Sequence, residues 1–217
     1  MFTRIGTTGG PRGKGCVICF AAGNYNASID DPVNAEGHVW LDYGAGRQRR
    51  TVGPILNGYA AHPNVIAVAA STSLNRHAEY SNYGPQISVA APSNNFHYLD
   101  RNLFVPGRGI TTADNGRNGD GFNPNGIYTD RFGGTSSATP LVAGVAALVL
   151  SINPDLSAAD VKDILQSTAD KITDNEPSIV TGKNYGEYDS RGHCQWFGYG
   201  RVNAAKAAAE AKRRRGR

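Results

Sequence analysis

One serine in this chain stands where a nucleophile would be placed. The string Phe132-Gly133-Gly134-Thr135-Ser136-Ser137-Ala138-Thr139-Pro140 runs into a continuous apolar stretch over residues 141–150. The two glycines allow a tight turn, and Ser136 falls at the N-terminus of the helix that the apolar stretch would form. Pro140 lies within about the first turn, where a missing donor costs little. Unpaired N–H groups at such an end favour developing negative charge, so a hydroxyl there can attack an electrophilic carbon and have the resulting anion stabilised. The competing reading makes Thr135 and Ser136 simple N-cap residues of a core helix. A second polar group is delivered by residues 16–24, a short apolar run ending in Gly23-Asn24. It reads as a buried strand handing an asparagine to a loop at its C-terminal end.

Other elements must hold these two groups. Residues 136–151 predict a buried helix. Residues 157–170 predict an amphipathic one, with Ser157 as N-cap, Asp160 in the capping-box position, and Val161, Ile164, Leu165 and Thr168 along one face. Pro154 separates the two, and an alanine-rich helix closes the chain over residues 202–211. Residues 25–57 and 93–129 are long polar excursions, the second dense in Asn-Gly and Asp-Gly turn chemistry.

The Gly-Thr-Ser-x-Ala-x-Pro pattern around Ser136 resembles the nucleophile motif of the subtilases, the subtilisin-like serine proteases. Further segments agree in order. Cys16-Val17-Ile18-Cys19-Phe20-Ala21-Ala22-Gly23-Asn24 resembles the segment that supplies the family's oxyanion-hole amide. The segments His62-Pro63-Asn64-Val65-Ile66-Ala67-Val68-Ala69-Ala70-Ser71, Tyr80-Ser81-Asn82-Tyr83-Gly84 and Ile87-Ser88-Val89-Ala90-Ala91-Pro92 are similar to its central strands and the turn between them. Phe197-Gly198-Tyr199-Gly200-Arg201-Val202-Asn203-Ala204-Ala205 resembles the entry to its closing helix. The resemblance implies an α/β fold, a three-layer sandwich around a mostly parallel sheet, present here as its C-terminal portion over residues 1–211 and followed by a basic tail over 212–217.

The same resemblance implies roles. Ser136 would be the nucleophile and Asn24 the side-chain oxyanion donor, with a peptide or protein as substrate. Gly23, Gly58 and Thr135 would line the substrate pocket, although Gly58 also reads as a plain turn glycine. Residues 107–112 would form a short strand near the cleft. The family's Asp-[Ser/Thr]-Gly and His-Gly-Thr motifs precede its oxyanion asparagine, yet no His or Asp stands before Asn24 here, and none of the five histidines is followed by Gly-Thr. An N-terminal subtilase half supplying Asp and His is therefore the expected partner, with the 217-residue chain inactive by itself. Similarity to the kexin/furin-like branch implies calcium, with Asp30 and the weaker oxygen ligand Asn82 as candidates; the alternative for Asp30 is a plain surface aspartate.

Composition permits a folded domain, with 40% apolar and 18% charged residues among 217. The net charge of +4 comes largely from Lys212, Arg213, Arg214, Arg215 and Arg217, and only Arg47, Arg49 and Arg50 form another basic cluster. No nucleic-acid partner is expected from so sparse a pattern, and no membrane partner, since no 18-residue run is wholly apolar. Three cysteines cannot all pair with one another, and Cys16 and Cys19 read as small core residues. The other function class the sequence admits is a non-catalytic, subtilase-derived binding or scaffold module in which Ser136 and Asn24 are relics.

Overall fold

A computed structural model describes residues 1–42, 46–116, 121–178 and 181–215. Its centre is a parallel three-stranded sheet in the order β1 (Cys19–Ala21), β6 (Ile66–Ser71), β7 (Ile87–Pro92). The β6 sequence Ile-Ala-Val-Ala-Ala-Ser is buried at every position, as expected for a strand covered on both faces. Period-two alternation divides it between two cores. Ile66, Val68 and Ala70 join Val89 and Ala91 against three helices: α2 (Thr135–Ile152), α3 (Ala158–Ser167) and α4 (Ala204–Arg215). Ala67 and Ala69 face the opposite way, onto Ile29, Ile172, Tyr185, Cys194 and Phe197. The α/β class and the parallel sheet are thus present, with the second outer layer built largely from loops.

α3 begins as the sequence predicts. The Ser157 side chain accepts from the Asp160 amide at 3.1 Å and Asp160 reaches back to the Ser157 amide at 2.8 Å. The long excursions are more ordered than their polarity suggests. The first contains β2 (Asp30–Asp31) paired with β5 (Ile55–Leu56), and a hairpin of β3 (His38–Asp42) and β4 (Arg47–Thr51). The second holds β8 (Ile110–Ala113) antiparallel to β9 (Tyr128–Phe132), overlapping the expected strand at 107–112. A short helix, α1 (Phe2–Thr8), precedes them all.

Two expectations need correction. The helix of Ser136 is not buried all round: Val142, Ala146 and Val149 enter the core, while Leu141, Ala143, Gly144, Ala147 and Leu148 are exposed. Among the described residues α2 is long and apolar enough, by length and composition, to cross a membrane, with a mean hydropathy of 1.7 over 18 residues. It packs one side on β1, β6 and β7 instead. Finally, α4 runs past residue 211 to Arg215, because its arginines have carboxylate partners. Arg213 and Arg214 both hold Glu210, pushing that carboxyl down to about 2, and Arg214 also reaches Asp163 on α3 at 2.6 Å.

Candidate active site

β1 ends at Ala21, and the chain turns through Gly23 into the loop that carries Asn24. Gly23 has φ +110°, and a Cβ there would lie 2.6 Å from Asn82 Nδ2, so only glycine fits the turn. Across from it, Gly134 at φ +79° starts α2. These two glycine turns bring the end of one strand to the start of one helix.

A compact hydrogen-bond set joins them. Thr135 N–H donates to Asn24 Oδ1 at 2.8 Å, the Thr135 hydroxyl donates to the same oxygen at 2.9 Å, and Gly23 N–H donates to the Thr135 hydroxyl at 3.2 Å. Its oxygen is held by two donors, and among the described residues nothing accepts from Asn24 Nδ2. Ser136 follows on the exposed side of the helix start, its own N–H among the first-turn donors without an intrahelical acceptor. The arrangement therefore presents a hydroxyl, a free side-chain amide and a free backbone amide at one helix terminus, the elements needed to attack a carbonyl and hold the resulting oxyanion.

The turn is braced from beneath by groups that sequence reasoning missed. Asn94 Oδ1 accepts from Gly134 N–H at 3.0 Å, and a Cβ on Gly133 would collide with Asn94. Ser93 Oγ donates to Gly134 O at 2.8 Å and lies 2.8 Å from Ser137 Oγ, while Tyr80 donates to Ser93 at 2.6 Å. Burial raises the Tyr80 pKa, so the hydroxyl stays protonated as a donor. Ser93 and Asn94 open a segment that reads in sequence as turn chemistry, and nothing local marks them as supports for a helix more than forty residues away in the chain.

The remaining expected site residues distribute differently. Thr135 is fully buried and its hydroxyl is spent on Asn24, which it positions. Gly58 is exposed in the turn after β5, with open space where a Cβ would be, and its neighbour Asn57 donates to Ala22 O at 3.2 Å. That contact ties the Gly58 turn to the strand end behind Gly23. Asn82 is buried and its Oδ1 accepts from both Tyr25 N–H at 2.9 Å and Ala27 N–H at 3.0 Å. Both lone pairs are used, so Asn82 shapes the loop after Asn24 and does not fit a cation ligand. Asp30 accepts from Gln86 Nε2 at 2.8 Å. Among the described residues no group of three or more His, Cys, Asp or Glu side chains could hold a metal, whereas calcium takes six to eight oxygens. The Asp30 and Asn82 pair therefore does not fit calcium.

None of the five histidines hydrogen-bonds Ser136. His38 donates to Tyr25 O, His193 contacts Ile87 O, His62 contacts Thr3, His97 accepts from the Leu99 and Asp100 amides, and His77 is buried among aromatic rings. An open groove of about 690 Å³ leads away from Ser136 between α2 and the free edge of β1, lined by Cys19, Ala21, Thr139, Pro140 and Ala143.

The end of strand β1 and the start of helix α2 are thus joined through Asn24 and Thr135, with Ser136 next along the helix. The Subtilase family pattern matches residues 5–199, and the chain belongs to that family, the subtilisin-like serine proteases. It is 39% identical over 205 residues to a calcium-dependent protease of Trichormus variabilis, a match covering 91% of this chain and 25% of that protein. It is 37% identical over 113 residues to subtilisin of Bacillus pumilus, covering 52% of this chain and 32% of the relative. The chain thus spans about a quarter of the calcium-dependent protease it matches. Among solved structures, a protease of Pseudoalteromonas arctica superposes with a TM-score of 0.54 at 26% identity, covering 90% of this chain and 42% of that one. The serine protease of Aeromonas sobria shares the fold with a TM-score of 0.58 at 20% identity, covering 91% and 37% respectively.

Proposed function

We propose that this chain supplies the nucleophile and the oxyanion hole of a serine endopeptidase, and that a segment carrying the family's Asp and His motifs completes it. The observation that carries the reading is the double hydrogen bond from Thr135 to Asn24 Oδ1, which fixes the asparagine against the residue before Ser136 and leaves its Nδ2 available as a donor. The completion is supported by the histidines' other engagements, by the position of β1 at the edge of the described sheet and by the exposed residues Ala143 and Ala147 of α2, which line the groove. A parallel strand added to β1 would satisfy that edge.

In the completed site, an incoming histidine takes the proton of Ser136 Oγ as the oxygen bonds to the scissile carbonyl carbon. The carbonyl electrons move onto oxygen, which receives N–H donors from Asn24 Nδ2 and the Ser136 backbone. The histidine, oriented by an aspartate, returns the proton to the leaving amine as the C–N bond breaks, and water then releases the acyl group by the reverse sequence. Gly23 and the Gly58 turn would lie along the substrate chain. The peptide or protein substrate is carried over from the family, and nucleic acid and membrane have no part in the reading. A calcium requirement, carried over from the name of the Trichormus relative, would need ligands other than the Asp30 and Asn82 pair.

The test is Asn24→Ala in a complex complemented with an N-terminal subtilase half and assayed on a peptide amide. An oxyanion donor acts in the transition state, so kcat should fall on the order of 10² to 10³ with KM nearly unchanged. Asn102→Ala, in an exposed loop, should leave both unchanged. Equal behaviour of the two variants would remove Asn24 from the oxyanion hole and favour the non-catalytic scaffold reading.

A further inference from the structure

The hairpin of β3 and β4 is anchored directly beside the proposed oxyanion asparagine. Tyr25 follows Asn24, and its carbonyl accepts from His38 Nε2 at 2.9 Å while its ring meets the Trp40 ring edge-on at 5.1 Å. The His38 ring also stacks on Tyr98. His38, Trp40 and Asp42 alternate onto one face of β3, and it is this face that turns toward the Asn24 loop. Directly across the hairpin on the same face stand Thr51, Arg49 and Arg47, with Trp40 Nε1 donating to Thr51 Oγ1 at 2.6 Å.

The three arginines of β4 are not equivalent. Arg50 lies on the opposite face, where its guanidinium donates to Glu36 O. Arg47 lies across from Asp42, which offsets part of its charge. Arg49 lies across from Trp40, is exposed, and makes no ion pair or hydrogen bond among the described residues. The ring cluster of Tyr25, His38 and Trp40, next to Asn24 in the chain, thus has one unpaired cation as its cross-strand neighbour.

We propose that Arg49 is a specificity-determining residue that selects an acidic side chain on the substrate close to the scissile bond, with Arg47 adding a smaller long-range attraction. The inference rests on the protease reading only for where the substrate lies. Its test reads binding and not hydrolysis, so the two can fail separately. Fluorescein-labelled octapeptides, with Glu, Gln or Lys placed in turn at each central position, are titrated against the 217-residue chain carrying Ser136→Ala and complemented with an N-terminal subtilase half. An exposed charge pair predicts a preference for the best Glu peptide over its Lys counterpart of about five-fold at low salt, shrinking as salt is added. Arg49→Gln should abolish the preference and Arg49→Glu reverse it, while Arg50→Gln leaves it in place. Equal ranking of the peptides by the wild-type hairpin and by Arg49→Glu, an equal effect of Arg50→Gln, or no binding of any peptide overturns the proposal.

Discussion

Replacing Thr135 by valine isolates the contact on which the site depends. The substitution keeps shape and β-branching and removes only the hydroxyl, so no cavity forms. It deletes the 2.9 Å bond to Asn24 Oδ1 and leaves Gly23 N–H without the acceptor it had at 3.2 Å. A neutral hydrogen bond contributes about 1 kcal/mol and an orphaned, half-buried donor costs at least as much, so the expected loss is about 2 kcal/mol. For a chain of this length that lowers the melting temperature by about 4 to 8 °C. Activity should fall less than on removing Asn24 itself, because the Thr135 N–H still holds Oδ1 at 2.8 Å. About a tenfold loss in kcat at unchanged KM is expected, against 10² to 10³ for removal of an oxyanion donor. Urea unfolding followed by circular dichroism reads the first effect and hydrolysis by the complemented complex the second. Thr135→Ser keeps the oxygen and should restore most of both. A Thr135→Val protein as stable as wild type, or a Thr135→Ser protein as weak as the valine variant, would refute the reasoning.

Two further outcomes follow from buried polar groups. Asn82→Ala orphans the Tyr25 and Ala27 amides and should cost about 2 to 3 kcal/mol in urea unfolding, whereas Asp30→Ala, losing a single side-chain partner, should cost less than 1; equal losses would contradict the role given to Asn82. His77 is enclosed by Tyr185, Trp196 and Phe197, and burial pushes its pKa down to about 3 from 6.5. The unfolded chain then binds the proton more readily, so stability is intact above about pH 6.5 and falls as the pH drops toward about 3. The loss at pH 5 is about 2 kcal/mol, and His77→Phe should remove this acid sensitivity in melts recorded from pH 7 to 4.

Much of the frame was legible because it is written in local pattern. The apolar runs of β6 and β7 and the Ser157-x-x-Asp160 box are signals that neighbouring residues carry by themselves. The hairpin was not legible, since the Arg-Gln-Arg-Arg-Thr of β4 is exposed at every position and has no alternation to read. The roles of Thr135 and Asn82 were hidden for another reason. Motif position implies that each faces substrate or metal, and neither signal shows that each side chain bonds the backbone or side chain of a residue distant in sequence. Asn26 shows the same limit. No motif marks it, yet it is buried, has φ +49°, and donates to Glu79 O at 2.9 Å. The exposed side of α2 follows from topology: an apolar helix sequence does not state how many neighbours will cover it.

The central claim is that Ser136 is a nucleophile whose general base comes from a segment outside these 217 residues. A fluorophosphonate probe, with the adduct mapped by mass spectrometry, tests it most directly. The chain alone should label at a negligible rate, because nucleophile and base act as a unit. With an N-terminal subtilase half added, the adduct should form rapidly and only on Ser136. Rapid labelling of Ser136 in the chain alone, or an adduct on another residue in the complemented complex, would contradict the account.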